Sequence, residues 1–185
     1  QKEVLQPFTQ LCVELGNTGK CGMGDEEANT GALISADAVR RMEEIVADAV
    51  EKGAKVLCGG KRPEGKRGFY FLPTILADVT PQMRAVREEV FGPILSILPY
   101  ESLEDALAMA NDTQYGLASY VWSRDYYEVS QLVRGLQFGV VNVNGPGTGP
   151  NYPHGGWKNS GIGADGSSYS LDEYFRKKGI RVSLG

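Results

Sequence analysis

The chain has 185 residues and a formal net charge of -4, with 42% hydrophobic and 23% charged residues. That balance suits a globular chain with a sizeable core, and the acidic charge argues against a nucleic-acid surface. No apolar run reaches the length of a membrane span, and no charged-then-apolar leader opens the sequence. The three cysteines, Cys12, Cys21 and Cys58, are odd in number and scattered. They give no disulfide framework, and a reducing, cytoplasmic location is expected. His154 is the single histidine, so no metal site is expected.

The elements alternate along the chain. Val4, Leu5, Phe8, Leu11, Cys12 and Leu15 at helical spacing predict a helix over 2–15. The polar, Gly-rich stretch 16–31 reads as turns, and Cys21 within it is the cysteine expected to be most exposed. Ser35 reads as the N-cap of a second helix, whose stripe runs through Val39, Met42, Ile45, Val46, Ala49 and Val50 and stops at Gly53. Residues 55–58 form a short strand, and the charged run 61–67 a solvated loop. A strand is expected over 69–76, with Pro73 marking an edge or kink. Another is expected over 94–98, whose unbroken apolar run suits burial on both faces.

Ser102 caps a helix to residue 111, 118–122 is a strand, 125–136 a helix and 140–143 a strand. Strands alternating with helices predict an α/β fold with a mainly parallel sheet flanked by helices. The strict alternation of Ile180, Val182 and Leu184 reads as a short terminal strand.

Glu89-Val90-Phe91-Gly92-Pro93 is the most informative run. Read as extended backbone, it puts Glu89 and Phe91 on one side. The acid there can accept hydrogen bonds from a ribose diol, and the ring can lie against a flat heterocycle. A solvated Glu89 beside a core Phe91 satisfies the same residues. Asn142-Val143-Asn144 ends a strand and opens a Gly/Pro loop, where open α/β sheets build their sites. The segment 161–166 satisfies G-x-G-x-x-G. No strand is expected before it, so its glycines read as turn and packing positions.

Four stretches together resemble the NAD(P)-dependent aldehyde dehydrogenases. Glu88-Glu89-Val90-Phe91-Gly92-Pro93 is similar to that family's EE-[IV]-FGP motif. The run 111–118 is similar to its ND-T-x-YGLA stretch, and 139–144 to its G-x-V-x-VN strand. The run 153–163 is similar to its P-F-GG-x-K-x-SG-x-G segment. They occur in family order over most of the chain, from about Phe8 onward.

The resemblance implies a catalytic-domain fragment over 1–176 and an oligomerisation strand over 177–185. It implies cofactor contacts at Glu89 and Phe91, with NAD or NADP as cofactor. It implies substrate-side roles for Asn144 and His154, an aldehyde substrate and a homo-oligomeric parent, dimer or tetramer. No membrane or nucleic-acid partner is expected. The family's nucleophilic Cys and general-base Glu are expected upstream of Gln1, so no catalytic residue is named here and the chain alone is expected to be inactive.

His154 stands where the family commonly has Phe, and the residues give it no evident partner. Pro-His-Gly-Gly resembles the aminoaldehyde branch, with succinic semialdehyde as the second substrate reading. Asp165, after Ala164, replaces a family Glu after Arg, so it reads equally as an exposed turn residue. A non-catalytic interaction module that keeps the fold is the alternative function.

Overall fold

The computed structural model describes every residue except 25, 26, 146–148 and 150. It divides into two compact units, Gln1–Glu101 and Ser102–Gly185. The first runs α1 (Lys2–Thr18), α2 (Ala36–Glu51), β1 (Lys55–Cys58), β2 (Thr74–Ala77), α3 (Arg84–Arg87) and β3 (Ile94–Ser96). Ser35 begins α2 as expected, its hydroxyl accepting from the Ala38 amide at 3.1 Å. Val39, Met42, Ile45, Val46 and Ala49 are buried along one face of that helix. They pack with Phe71, Leu76, Val79 and Met83 into the main core of the unit.

Strand order is β1-β2-β3, antiparallel at β1–β2 and parallel at β2–β3. The strand expected over 69–76 forms only from Thr74. Pro73 has no amide to pair, and the neighbouring groups are engaged elsewhere. Leu33 N–H donates to Phe69 O at 2.8 Å, and Leu72 N–H donates to Lys61 O at 3.0 Å. The strand expected over 94–98 is three residues at a sheet edge, with Leu95 exposed, rather than buried on both faces.

The second unit runs α4 (Leu103–Asn111), β4 (Tyr115–Gly116), β5 (Ala118–Val121), α5 (Tyr126–Gly135), β6 (Val140–Val143), β7 (Trp157–Lys158) and α6 (Tyr169–Tyr174). A reciprocal capping box starts α4: Ser102 accepts from the Asp105 amide, and the Asp105 carboxylate accepts from the Ser102 amide. Asp125 caps α5 by accepting from the Tyr127 and Glu128 amides at 2.7 and 3.1 Å. β5 and β6 pair in parallel from Ala118↔Val140 to Val121↔Val143, with α5 as the crossover. β4 and β7 pair antiparallel. β7, only two residues long, was not expected from the residue pattern.

The class is α/β, as expected. Among the described residues, the ladders β2–β3 and β5–β6 are parallel and β1–β2 and β4–β7 antiparallel. Residues 177–185 carry no strand pairing among the described residues, and Ile180, Val182 and Leu184 stand exposed.

Candidate functional site

The two acids of the Glu88-Glu89 pair have different fates. Arg84, on the single turn α3, grips Glu88 with two nitrogens, at 2.6 Å to Oε1 and 3.3 Å to Oε2. Arg41 from α2 adds a third bond to Glu88 Oε2 at 3.2 Å. Bidentate arginine contacts of this kind fix a carboxylate in one orientation. The hydrogen bonds from Arg84 hold the Glu88 carboxyl below the usual carboxylate range, against a smaller opposing effect of burial. A carboxyl depressed in the folded state stabilises the fold above its unfolded pKa. That stabilisation is lost as acid protonates the group. Glu88→Gln is therefore expected to lower stability at neutral pH and to flatten the acid limb of the stability–pH curve. Chemical denaturation at several pH values checks this.

Arg41 does more than hold Glu88. Its guanidinium also donates to the backbone oxygens of Glu89 and Val90, the latter at 2.8 Å. One side chain thus fastens three consecutive residues of the motif to α2. The sequence reading missed Arg41. Its only local signal was its place at the border of the α2 apolar stripe.

Glu89 itself is exposed, and its carboxylate makes no hydrogen bond among the described residues. Phe91 is 84% exposed and adopts a positive φ of 48°. The extended reading of this run is therefore corrected, because backbone alternation breaks at Phe91. A left-handed conformation costs a side-chain-bearing residue about 1–2 kcal/mol, and such strain clusters at sites of function. Phe91 takes no part in this chain's own core. The ring borders a cavity of about 790 Å³, lined by Ala32, Leu33, Ile34, Met42 and Val90 among others. An exposed ring at an apolar cavity, next to an uncommitted carboxylate, suits a ligand that joins a flat heterocycle to a sugar diol.

In the second unit, Asn144 closes β6 with φ 55°. Its Oδ1 accepts from the Ser123 amide at 3.0 Å, and its Nδ2 donates to the Ser123 carbonyl at 2.9 Å. Its amide group thus ties the turn between β5 and α5 to the end of β6. Asn144 also borders a cavity of about 550 Å³ with Asn142, Tyr152 and Pro153.

His154 does have a partner. Its backbone pairs with Asp165 in both directions, at 2.7 and 2.8 Å. Its Nδ1 lies 2.9 Å from Asp165 Oδ1. An ionised carboxylate only accepts, so in this contact Nδ1 is the donor. The two positions that depart from the family pattern are therefore in contact with each other. The G-x-G-x-x-G segment is closed by the chain's own acid: Ala164 N–H donates to Glu173 Oε1 at 2.7 Å. An internal carboxylate thus occupies the place where a phosphate would have to sit. Cys21, expected to be the exposed cysteine, is buried with its thiol 3.5 Å from Phe71 O.

The aldehyde dehydrogenase family model matches residues 1–180. The chain belongs to the aldehyde dehydrogenase family. It is 40% identical over 161 residues to the NADP(+) succinate-semialdehyde dehydrogenase GabD of Escherichia coli (strain K12), covering 86% of this chain and 33% of that protein. It is 41% identical over 167 residues to glutarate-semialdehyde dehydrogenase of Pseudomonas putida, covering 89% of this chain and 34% of that protein. The NAD+ complex of an aldehyde dehydrogenase from Bacillus cereus superposes with a TM-score of 0.94 at 33% identity, covering 100% of this chain and 38% of that one. This aldehyde dehydrogenase chain thus spans about a third of the length of the curated relatives it matches.

Proposed function

We propose that this chain supplies part of the active site of an NAD(P)-dependent enzyme that oxidises an aldehyde to a carboxylic acid. The carrying observation is Phe91, an exposed ring in a strained conformation at a cavity mouth, two residues from the uncommitted Glu89. Glu89 would accept the two hydroxyls of the ribose next to the nicotinamide. Phe91 would lie against that ring and fix its distance from the reacting carbon. The cofactor, when bound, supplies the hydride acceptor. The residues of this chain bind it, orient it and shield it from water. A cysteine that the family pattern places upstream would attack the aldehyde carbon.

Arg41 acts here as a positioning residue. Without it, the backbone of Glu89 and Val90 loses two charge-assisted hydrogen bonds, each worth roughly 1.5–3 kcal/mol. Arg41→Ala in the complete enzyme is expected to raise the cofactor KM by about tenfold or more, consistent with losing one such bond. Arg41→Lys should recover little, because an ammonium cannot span three acceptors in a fixed fork. Steady-state kinetics with varied cofactor check this.

On the substrate side, Asn144 holds the β5–α5 turn against the end of β6, and His154 is held by Asp165 through both backbone and side chain. The names of the relatives, succinate-, glutarate- and aspartate-semialdehyde dehydrogenases, support a semialdehyde over an aminoaldehyde. The test is the complete enzyme assayed with succinic semialdehyde and 4-aminobutyraldehyde. A higher kcat/KM for the semialdehyde supports the reading. A strong preference for the aminoaldehyde would overturn it. The exposed alternation Ile180, Val182 and Leu184 supports a homo-oligomer in which the tail adds a strand to a neighbouring subunit.

A further inference from the structure

Two thiols that take no part in the cofactor or substrate site meet where α1 packs on the first sheet. Cys12 is half-buried on the sheet-facing side of α1. With Leu5 and Val13 it packs against a small cluster of Cys58, Ile75 and Ile97. Cys58 ends β1 and is buried, its thiol only loosely directed at Pro73 O, 3.7 Å away. Both cysteines are free.

The position of the Cys58 sulfur on the helix can be read from Gly16. A Cβ added at Gly16 would lie 2.6 Å from Cys58 Sγ. Side-chain bonds on a helix tilt toward its N-terminus, so that point overlies the turn that begins at Cys12. Residues four apart share one face, with Cβ atoms about 5–6 Å from each other. Gly16 leaves the space that the Cys58 thiol fills, and Cys12 is the next side chain along that strip. Burial raises the Cys12 thiol above its ordinary range, and Cys58 adds to that rise. Cys21 belongs elsewhere, with its sulfur against Phe71 O.

We propose that Cys12 and Cys58 form a redox-responsive modification site, in which a disulfide staples α1 to the end of β1. The oxidant is a peroxide. The thiolate of Cys12, the more accessible of the two, attacks one peroxide oxygen and breaks the O–O bond. This leaves a sulfenic acid on Cys12 and, with hydrogen peroxide, releases one water. The Cys58 thiolate then attacks the Cys12 sulfur and forms the S–S bond, and the displaced hydroxide takes a proton to leave as a second water. In sum, two thiols give up two electrons and two protons, and one hydrogen peroxide becomes two waters. The thiolate is the reactive form, so oxidation is slow at neutral pH and quickens as pH rises. Nothing in this inference depends on the cofactor reading.

The test is peptide mapping of the complete enzyme after treatment with hydrogen peroxide, at neutral and alkaline pH, with free thiols blocked by N-ethylmaleimide. Trypsin places Cys12 on residues 3–20, Cys21 on 21–40 and Cys58 on 56–61, so every pairing among these three has its own mass. The expected product is a 3–20/56–61 pair two hydrogens lighter than the sum of its peptides. It should form faster at alkaline pH, persist on dilution, dissolve in dithiothreitol and be absent from Cys12→Ser and Cys58→Ser. Recovery of both peptides alkylated, their separate conversion to sulfinic acids, or a link made through Cys21 would overturn the proposal. The mapping on unmodified protein decides the matter even where a variant fails to fold.

Discussion

Phe91→Ala in the complete enzyme is expected to lower kcat/KM by about a hundredfold, a loss typical of small misplacements of reacting groups, while leaving the melting temperature unchanged. The two readouts separate because the ring is 84% exposed, so its removal forfeits little buried apolar surface. The left-handed backbone at this position is as strained for alanine as for phenylalanine, so no strain is relieved either. What disappears is the flat surface that would hold the cofactor ring in reacting geometry.

Glu89→Gln should act on a different parameter. An amide keeps the shape but loses the charge, and hydrogen bonds to charged groups contribute roughly 1.5–3 kcal/mol. The expected effect is a rise in cofactor KM with a smaller change in kcat. Steady-state kinetics and thermal melting on the same preparations check both variants. A large fall in melting temperature with unchanged kinetics would return Phe91 to a structural role.

The largest expected loss of stability is at Gly139. A Cβ there would lie 1.7 Å from the carbonyl oxygen of Gly155. That carbonyl cannot swing away cheaply, because Gly155 is itself pressed against Gly163 O, 2.3 Å from where its own Cβ would be. The start of β6 and the segment that carries His154 are therefore packed backbone to backbone. Gly139→Ala is expected to cost about 3 kcal/mol or more, at the upper end for overpacking. It should also displace His154 and lower kcat/KM for the aldehyde. Gly31→Ala, where an added Cβ meets nothing within 4 Å, is the matched control and should be close to neutral. Equal denaturation midpoints for the two variants would show that this crossing is looser than described.

Much of the local structure was legible because its causes are local. Ser35, Ser102 and Asp125 each mark a helix start by a cap made within three residues. The α2 stripe has a period that only a helix satisfies. The strand over 69–76 was overread because its apolar pattern is genuine but the Leu72 amide and the Phe69 carbonyl bond to loops. β7 was missed because two residues carry no pattern.

At the site, the chemistry of Glu89 and Phe91 was readable, but the geometry was not. Nothing in Glu-Val-Phe-Gly announces a left-handed phenylalanine. Arg41 lies 47 residues from Glu88, and its role is purely tertiary. Asp165 lies eleven residues from His154, across a loop that folds back on itself, so the pair stayed hidden until the backbone bridge joined them. Family resemblance pointed to both positions as departures. It did not show that they touch.

The central claim is that Glu89 and Phe91 hold the nicotinamide ribose and ring. A crystal structure of the complete enzyme with NAD or NADP bound tests it most directly. The expected result is a Glu89 carboxylate oxygen within normal hydrogen-bond distance, about 2.5–3.0 Å, of each ribose hydroxyl, with the Phe91 ring in contact with the nicotinamide. A bound cofactor whose ribose is held by other groups, with Glu89 facing bulk water and Phe91 out of contact, would contradict it.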